Sequence, residues 1–470
     1  MLISQLFDSY DIKSEIKNKD VKLITDDSRK CTSDSVFVCH KNGEKHISEA
    51  LSKGAVLVVA EKKLCDNCVV VANTRQAYAS LCAEFFGNLQ KNIKMIGVTG
   101  TNGKTTTANM IYTVLTLNGK KCGLIGTVNN NICGEISKTD MTTPDPFELH
   151  KMLSELHKWG AEYCVIEASS QGLEQQRLHG IDFYCAVLTN ISHDHLDYHK
   201  TMESYIEAKK ILFRNADKCI INTDDSLSSE FISCSKGKII TYSCERNDAC
   251  FVAKCQNMTQ EGSDYAVIAD YLIHRIKINM PGKFNVMNSL AAVAVAYECN
   301  ISLEGCAHAL RSFGGVKGRT EILNVNAPYK VIIDYAHTPD SLKKVLLTLK
   351  NFEHNRIITV FGCGGDRDKE KRPIMGDIAS QLSDIVIVTS DNPRDENPTD
   401  IIDDVLSGLK NGKKTVYIHE NRKKAIEYAL KIGAKNDIIL LAGKGHETSQ
   451  KSGSEILPMD EREIVSDYLS

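Results

Sequence analysis

The run Gly97-Val-Thr-Gly-Thr-Asn-Gly-Lys-Thr-Thr106 brings together the residue types that hold a polyphosphate. Its glycines let backbone N–H groups curl around phosphates, Lys104 can reach the outer phosphates, and the Thr105 hydroxyl can ligate magnesium at a helix start. Val98 stands where a phosphate loop usually has its first glycine, with Gly97 and Gly100 on either side. A glycine-rich turn joining strand to helix would have the same composition. The flanks favour the nucleotide, because the apolar run Ile93 to Val98 reads as a strand and Thr105 to Asn118, stopped by Gly119, reads as a helix. Gly100, Thr101, Asn102, Gly103, Lys104, Thr105 and Thr106 are therefore the candidate ATP loop.

Two further clusters carry chemistry. Glu167-Ala-Ser-Ser-Gln-Gly-Leu-Glu-Gln-Gln-Arg177 follows an apolar run ending at Ile166. A carboxylate at a strand end beside a phosphate loop suits magnesium, and the hydroxyls, an amide and Arg177 could line the path of an anionic substrate. A polar turn with an N-cap reads equally well. His193-Asp-His-Leu-Asp-Tyr-His199 offers carboxylates for magnesium or three close histidines for zinc, and its residues leave both open. Lys209, within the helix-like stretch Tyr205 to Phe213, reads by default as a solvated lysine.

The elements that must position these groups follow from the apolar pattern. At 470 residues the chain should hold two to four domains. Short apolar runs at Val36 to Cys39, Ala55 to Ala60 and Val69 to Ala72 alternate with helical patterns, giving a small α/β unit over residues 1–90. Runs at Ile93 to Val98, Tyr163 to Ile166, Cys185 to Leu188 and Cys219 to Ile221 build a larger α/β domain over 91–318, closed by Gly314, Gly315 and Gly318. Residues 319–470 alternate strand and helix most clearly, with strands expected at Val331 to Asp334, Ile357 to Phe361, Ile385 to Thr389, Thr415 to Ile418 and Ile438 to Leu441, each followed by a helix or the end of the chain. Asp334, Gly362 to Gly365, Asp391 to Arg394 and Gly443 to Glu447 all fall just past strand C-termini, the ligand edge of an open parallel sheet.

A formal net charge of -3 gives no basic field for nucleic acid or a membrane surface. The 17 scattered cysteines suit free thiols in a reducing cytosol, and no stretch of 18 apolar residues occurs. A cytoplasmic protein without membrane insertion is expected.

Taken together, the motifs resemble the Mur ligases over nearly the whole chain. The resemblance rests on Asp27-Ser28-Arg29, the TGTNGKTT loop, Thr142-Thr143-Pro144, EASSQGL, DHLDYH with Ala208-Lys209, Lys283-Phe-Asn285, Gly318-Arg319, Asp334-Tyr-Ala-His337-Thr-Pro, GCGGDRDKEKRP, DNPR and GKGHE, in that order. Gln171 departs from it, since histidine is expected there, and Cys39 to Gly43 is shorter than the usual uridine-side loop, which leaves His40 and Lys41 unassigned.

The resemblance implies an α/β chain of three domains, with a central phosphate-loop ATPase-type domain and a C-terminal Rossmann-like domain. It implies an enzyme that uses ATP and Mg2+ to join meso-diaminopimelate to UDP-N-acetylmuramoyl-L-Ala-D-Glu through an acyl phosphate; a monomer is expected. Ser28 would touch the uridine nucleotide, and Thr142, Thr143, Ser169, Gln175 and Arg177 the muramoyl-dipeptide. Lys104, Thr105, Glu167 and His195 would form the phosphate and magnesium set, with Lys209 carbamylated as a further metal ligand. Asn285, Arg319, Asp334 and His337 would close on ATP, while Asp391, Asn392, Pro393, Arg394, Gly443 and Glu447, joined by Arg372, would read the amino acid. The alternatives are a lysine-adding or folate-polyglutamate-type ligase, or a phosphate-loop switch ATPase, which would leave the motifs after residue 318 unexplained.

Overall fold

The computed structural model describes residues 1–8, 10, 12–139, 141–409 and 415–470. Most of its strands fall into three sheets. The first is parallel, with Leu23–Thr25, Ser35–Val38, Ala55–Ala60 and Cys68–Val70 in that order. Ser35–Val38 is buried at every position, as a parallel strand covered on both faces must be.

The middle sheet has eleven strands. Lys94–Thr99 lies at its centre, pairing in parallel with Phe183–Leu188 on one side and Tyr163–Glu167 on the other. That crossover order sends the phosphate-loop candidate, Glu167 and the segment after Leu188 to one edge of the sheet. One face is covered by the helix Lys104–Leu117 and by Lys283–Glu298, whose Val286 and Leu290 to Ala296 are buried all round its axis. Pro146–Trp159 and Met202–Arg214 cover the other face. The outer strands Phe251–Thr259, Gly262–Ala269 and Leu272–Ile278 turn antiparallel, an extension that the expected α/β alternation did not contain.

In the third sheet Ile438–Ala442 inserts between Lys330–Asp334 and Ile357–Phe361, followed outward by Ile385–Val388 and Thr415–Ile418, all parallel. Asp334, Gly362, Asp391 and Gly443 thus leave the sheet at its C-terminal edge. Ile438–Ala442 does not run straight into a helix or the end of the chain. A hairpin, Ser449–Ser452 with Glu455–Pro458, precedes the terminal helix Glu461–Leu469. The C-terminal edges of the middle and third sheets face each other, joined where Asn102 Nδ2 donates to Asp340 at 2.9 Å and His193 meets Asp368 at 2.6 Å. No helix among the described residues is long and apolar enough to cross a membrane.

His150, on Pro146–Trp159, is 2% exposed and its Nε2 has no hydrogen-bond partner. Burial holds its imidazole down at about 4, from an ordinary 6.5. The unfolded chain therefore binds a proton near 6.5 that the folded chain refuses until about 4, so this stability is present above pH 6.5 and lost as pH falls toward 4. Between pH 7 and 5 the loss should be about 2 kcal/mol. Urea unfolding of His150→Leu at the two pH values should show a correspondingly smaller acid loss than the parent; an equal loss in both would refute the assignment.

Candidate active site

The loop after Lys94–Thr99 is shaped by two glycines that nothing else could replace. Gly100 sits at φ +140° and Gly103 at φ +86°, and an added Cβ would collide with the Thr189 hydroxyl or with Asn288 Oδ1. The next strand's loop pins this shape. Thr189 Oγ1 and Asn190 Nδ2 donate to the Asn102 carbonyl at 2.7 and 2.9 Å, and Thr101 N donates to the Asn190 carbonyl at 2.7 Å. Sequence reasoning missed Thr189, Asn190 and Asn288. The signal for Asn288 was an amide in the first turns of a mostly apolar helix, beside Asn285 and Ser289.

Lys104 Nζ donates to the carbonyls of Gly100 and Thr101, both at 2.9 Å. The fully buried Glu167 accepts from Thr105 Oγ1, Thr127 N and Thr127 Oγ1, each at 2.8 Å. A cradle that only glycine permits, followed by a helix start, a lysine, a hydroxyl and a carboxylate, fits a triphosphate with magnesium. Such an ion takes one or two carboxylates and fills its remaining positions with phosphate and water.

Lys209 is 1% exposed, which overturns the solvated reading. Its Nζ donates to the Gly100 carbonyl at 2.8 Å and lies 4.5 Å from the centre of the Tyr205 ring. Burial, and then the charge of Lys104, drive its ammonium well below the ordinary range. The three histidines nearby diverge. His193 meets Asp368, His199 Nε2 lies 2.9 Å from Ser170 Oγ, and His195 faces Asp194 at 3.5 Å. Among the described residues no three His, Cys, Asp or Glu side chains converge as a metal cluster, so the zinc reading is withdrawn. Burial lowers His195 to about 4, and although burial alone would raise Asp194, His195 helps bring that carboxyl to about 2.

Beside Glu167, Thr143 Oγ1 donates to the Glu167 carbonyl at 2.8 Å and accepts from Ser169 N at 3.0 Å. Thr142 joins through Thr127 at 3.1 Å. Arg177 donates to the Gln175 amide oxygen at 2.6 Å and to the Thr143 carbonyl at 2.7 Å, and has no ion pair among the described residues. The five residues expected to hold the dipeptide thus form one connected wall. Ser28 lies in a separate groove with Asp26, Arg29 and His46, donating to Glu49 at 2.6 Å.

Across the facing sheet edges, Arg319 Nη2 donates to Thr105 Oγ1 at 3.3 Å and its guanidinium lies 4.4 Å from the Tyr335 ring centre. Asp334 turns inward to accept from Thr320 N and Ala336 N, and Asn285 accepts from Asn288 at 3.3 Å. A cavity of about 150 Å³ opens between the sheets, lined by Asp194, His195 and Asp197 on one side and by His337, Arg367, Lys371, Asp391, Asn392, Arg394, Gly443 and Glu447 on the other. Arg394 donates to the Gly365 carbonyl at 2.6 Å but makes no ion pair among the described residues. Glu447 accepts from Lys444 at 2.7 Å and from Asn392 at 3.0 Å, while Asp391 Oδ2 is buried with no partner.

Arg372 is not brought into this cavity. It is fully buried and commits its guanidinium to Glu396 at 2.8 Å, Asp404 at 2.8 Å and the Gly364 carbonyl. Arg367 and Lys371 supply the extra cationic lining instead, and Pro393 also stays outside it.

Residues 98–296 match the Mur ligase middle domain, and residues 318–445 match the Mur ligase, glutamate ligase domain. A UDP-N-acetylmuramoyl-L-alanyl-D-glutamate–2,6-diaminopimelate ligase of Clostridium acetobutylicum is 42% identical, covering 98% of this chain and 98% of its own. That of Clostridium botulinum is 40% identical over 96% and 95%. A solved structure of such a ligase superposes with a TM-score of 0.71 at 32% identity, covering 100% of this chain and 98% of its own. With a phosphate cradle facing a cavity lined by charges of both signs, two family domains in sequence and full-length relatives at this identity, the chain belongs to the Mur ligases.

Proposed function

We propose that this chain joins meso-diaminopimelate to UDP-N-acetylmuramoyl-L-Ala-D-Glu at the expense of ATP, in the cytoplasm, with residues 1–90, 91–318 and 319–470 as its three domains. The observation that carries the choice of amino acid is Arg394, a cavity guanidinium without a carboxylate partner among the described residues. Diaminopimelate differs from lysine by one carboxylate beside its distal amine, and a planar two-pronged donor suits that group. The names of the relatives support the same substrates.

In the reaction, the D-glutamate side-chain carboxylate attacks the γ-phosphorus of ATP and ADP leaves, giving an acyl phosphate. The amine of diaminopimelate then attacks the acyl carbon, loses a proton, and phosphate departs. Both steps need alignment and charge neutralisation above all. Lys104 and the Gly100 to Gly103 amides would hold the triphosphate, and Arg319 would add positive charge from across the interface. Thr105 and Glu167 would hold Mg2+, which neutralises charge on the transferring phosphoryl group. Arg177, without an ion pair among the described residues, would hold an anionic group of the dipeptide. Lys209 is the candidate for carbamylation, since burial shifts its amine toward the uncharged form, the form that adds carbon dioxide, and the product supplies a carboxylate that an ammonium cannot.

Phosphate release tests the proposal. Turnover should require the nucleotide-linked dipeptide and meso-diaminopimelate together, and L-lysine should be at least about tenfold less efficient. Equal use of lysine, or brisk hydrolysis of ATP by the chain alone, would overturn it.

A further inference from the structure

The residue next to Arg319 packs on the loop that lines the amino-acid cavity. Gly318 sits at φ +71°, and a Cβ there would strike the backbone of Gly445 and His446. Gly445, at φ +54°, is held as closely, since its own Cβ would fall 2.7 Å from Tyr335 Cβ and 2.9 Å from the Gly318 carbonyl. Tyr335 N in turn donates to that carbonyl at 2.9 Å. The Gly318 backbone and the Gly443 to Glu447 loop are therefore in direct contact, with no side chain between them. One residue on, Arg319 reaches Thr105 at the phosphate loop, stacked on Tyr335, whose ring lies 5.1 Å from that of His446.

A single side chain outside the cavity ties both parts. Arg462, on the terminal helix, donates from Nη2 to the Gly445 carbonyl at 3.0 Å and from Nε to Glu321 at 3.1 Å. Glu321 accepts from Gly318 N at 2.6 Å. Asp460 closes the clasp, accepting from Arg462 Nη1 at 3.1 Å and pairing with Lys317 at 3.4 Å. The fork of one guanidinium thus fixes the cavity loop and, through one carboxylate, the N–H that precedes Arg319. Arg462 has no place among the cavity lining residues.

We infer that Arg462 and Glu321 are positioning residues that lock the amino-acid loop to Arg319, so that nucleotide binding and amino-acid binding are coupled through Gly318 and Gly445. The role assigned to Arg319 rests on the ligase reading above, whereas the clasp is a matter of geometry. Moving the Gly445 carbonyl displaces Gly318, because the two backbones touch, and displacing Gly318 moves the guanidinium that meets the phosphate loop. Coupling of this kind travels through packed groups in contact.

The test uses the full chain and a non-hydrolysable ATP analogue with magnesium, measured by calorimetry, and so needs no assumption about the amino acid. Arg462→Ala should weaken the analogue about threefold to tenfold, and Arg462→Lys, which keeps the charge without the fork, should recover part of that loss. Glu321→Gln keeps an acceptor for Gly318 N–H but removes the charge facing Arg462, and should fall between. With Arg319→Lys already in place, Arg462→Ala should add little, because both act through one guanidinium. In the ligase assay the same variants should raise KM for both ATP and meso-diaminopimelate while leaving KM for the UDP substrate unchanged. A clasp that only stabilised the fold would lower Tm and the active fraction but leave these constants alone. Analogue affinity within twofold of the parent in folded Arg462→Ala, or full additivity with Arg319→Lys, would overturn the inference. A parent chain that ignores meso-diaminopimelate would overturn the substrate reading instead, with the calorimetric result still decisive for the clasp.

Discussion

Lys209→Ala should lower ligase turnover by about 10² to 10³, the range typical of removing a preorganised charged group at a phosphoryl-transfer site. The reason lies in what the unmodified side chain would do there. Its amine is buried, donates to the Gly100 carbonyl, and is pushed toward neutrality by burial and by Lys104. A neutral amine in that position adds carbon dioxide and releases one proton, turning a weak donor into an anion close to the phosphate loop. If the modified group acts through that anion, acetate or propionate added to Lys209→Ala should restore part of the activity by occupying the space left behind. Lys209→Met, which refills the volume without charge, should stay folded and inactive, and acetate should not rescue it because the space is filled. Carbon-13 bicarbonate should also give a carbamate signal in the parent that is absent from both variants. Near-parental turnover of Lys209→Ala would show the side chain to be packing only.

The strand cores and the phosphate loop were legible because each is a local pattern. Met95 to Val98 is apolar on both faces, and the glycine spacing that follows it has few other uses. The solvated reading of Lys209 failed because Tyr205 to Phe213 is an amphipathic helix with two adjacent lysines, and the contact that marks Lys209 as the inward one comes from Gly100, far away in sequence. Arg372 failed for the opposite reason. Its proximity to the cavity was legible, but its partners Glu396 and Asp404 lie on later segments, and no spacing rule distinguishes an arginine that meets substrate from one that braces a loop. The hairpin Ser449–Pro458 was invisible because its strands are short and mostly polar, with five of their eight residues exposed.

That hairpin bears on the other large effect, expected for Arg394. The Lys451 carbonyl accepts from Arg394 N at 3.2 Å, and Gly453 N donates to the Arg394 carbonyl at 2.7 Å. The two bonds hold Arg394 at φ +52°, a left-handed conformation that costs a non-glycine residue roughly 1 kcal/mol or more and persists where surroundings impose it. The strain turns the guanidinium toward the cavity, where burial and the like charge of Arg367 lower its pKa and make an added carboxylate more welcome. Arg367 is partly engaged with Asp197 across the interface at 3.5 Å, so Arg394 is the less neutralised of the two. Truncating one member of a desolvated charged pair costs about 2 to 5 kcal/mol, and the half-buried setting of Arg394 argues for the lower end. Arg394→Ala should therefore lose at least about tenfold in kcat/KM for meso-diaminopimelate, with KM for the UDP substrate unchanged. The loss should be smaller for L-lysine, which has no distal carboxylate to pair, so the preference between the two amino acids should narrow in the variant. Arg394→Lys should recover charge but not the two-pronged geometry, and rank between them. Steady-state kinetics with both amino acids would decide it: unchanged diaminopimelate kinetics in Arg394→Ala, or an equal loss for both amino acids, would mean that the distal carboxylate is read elsewhere in the cavity.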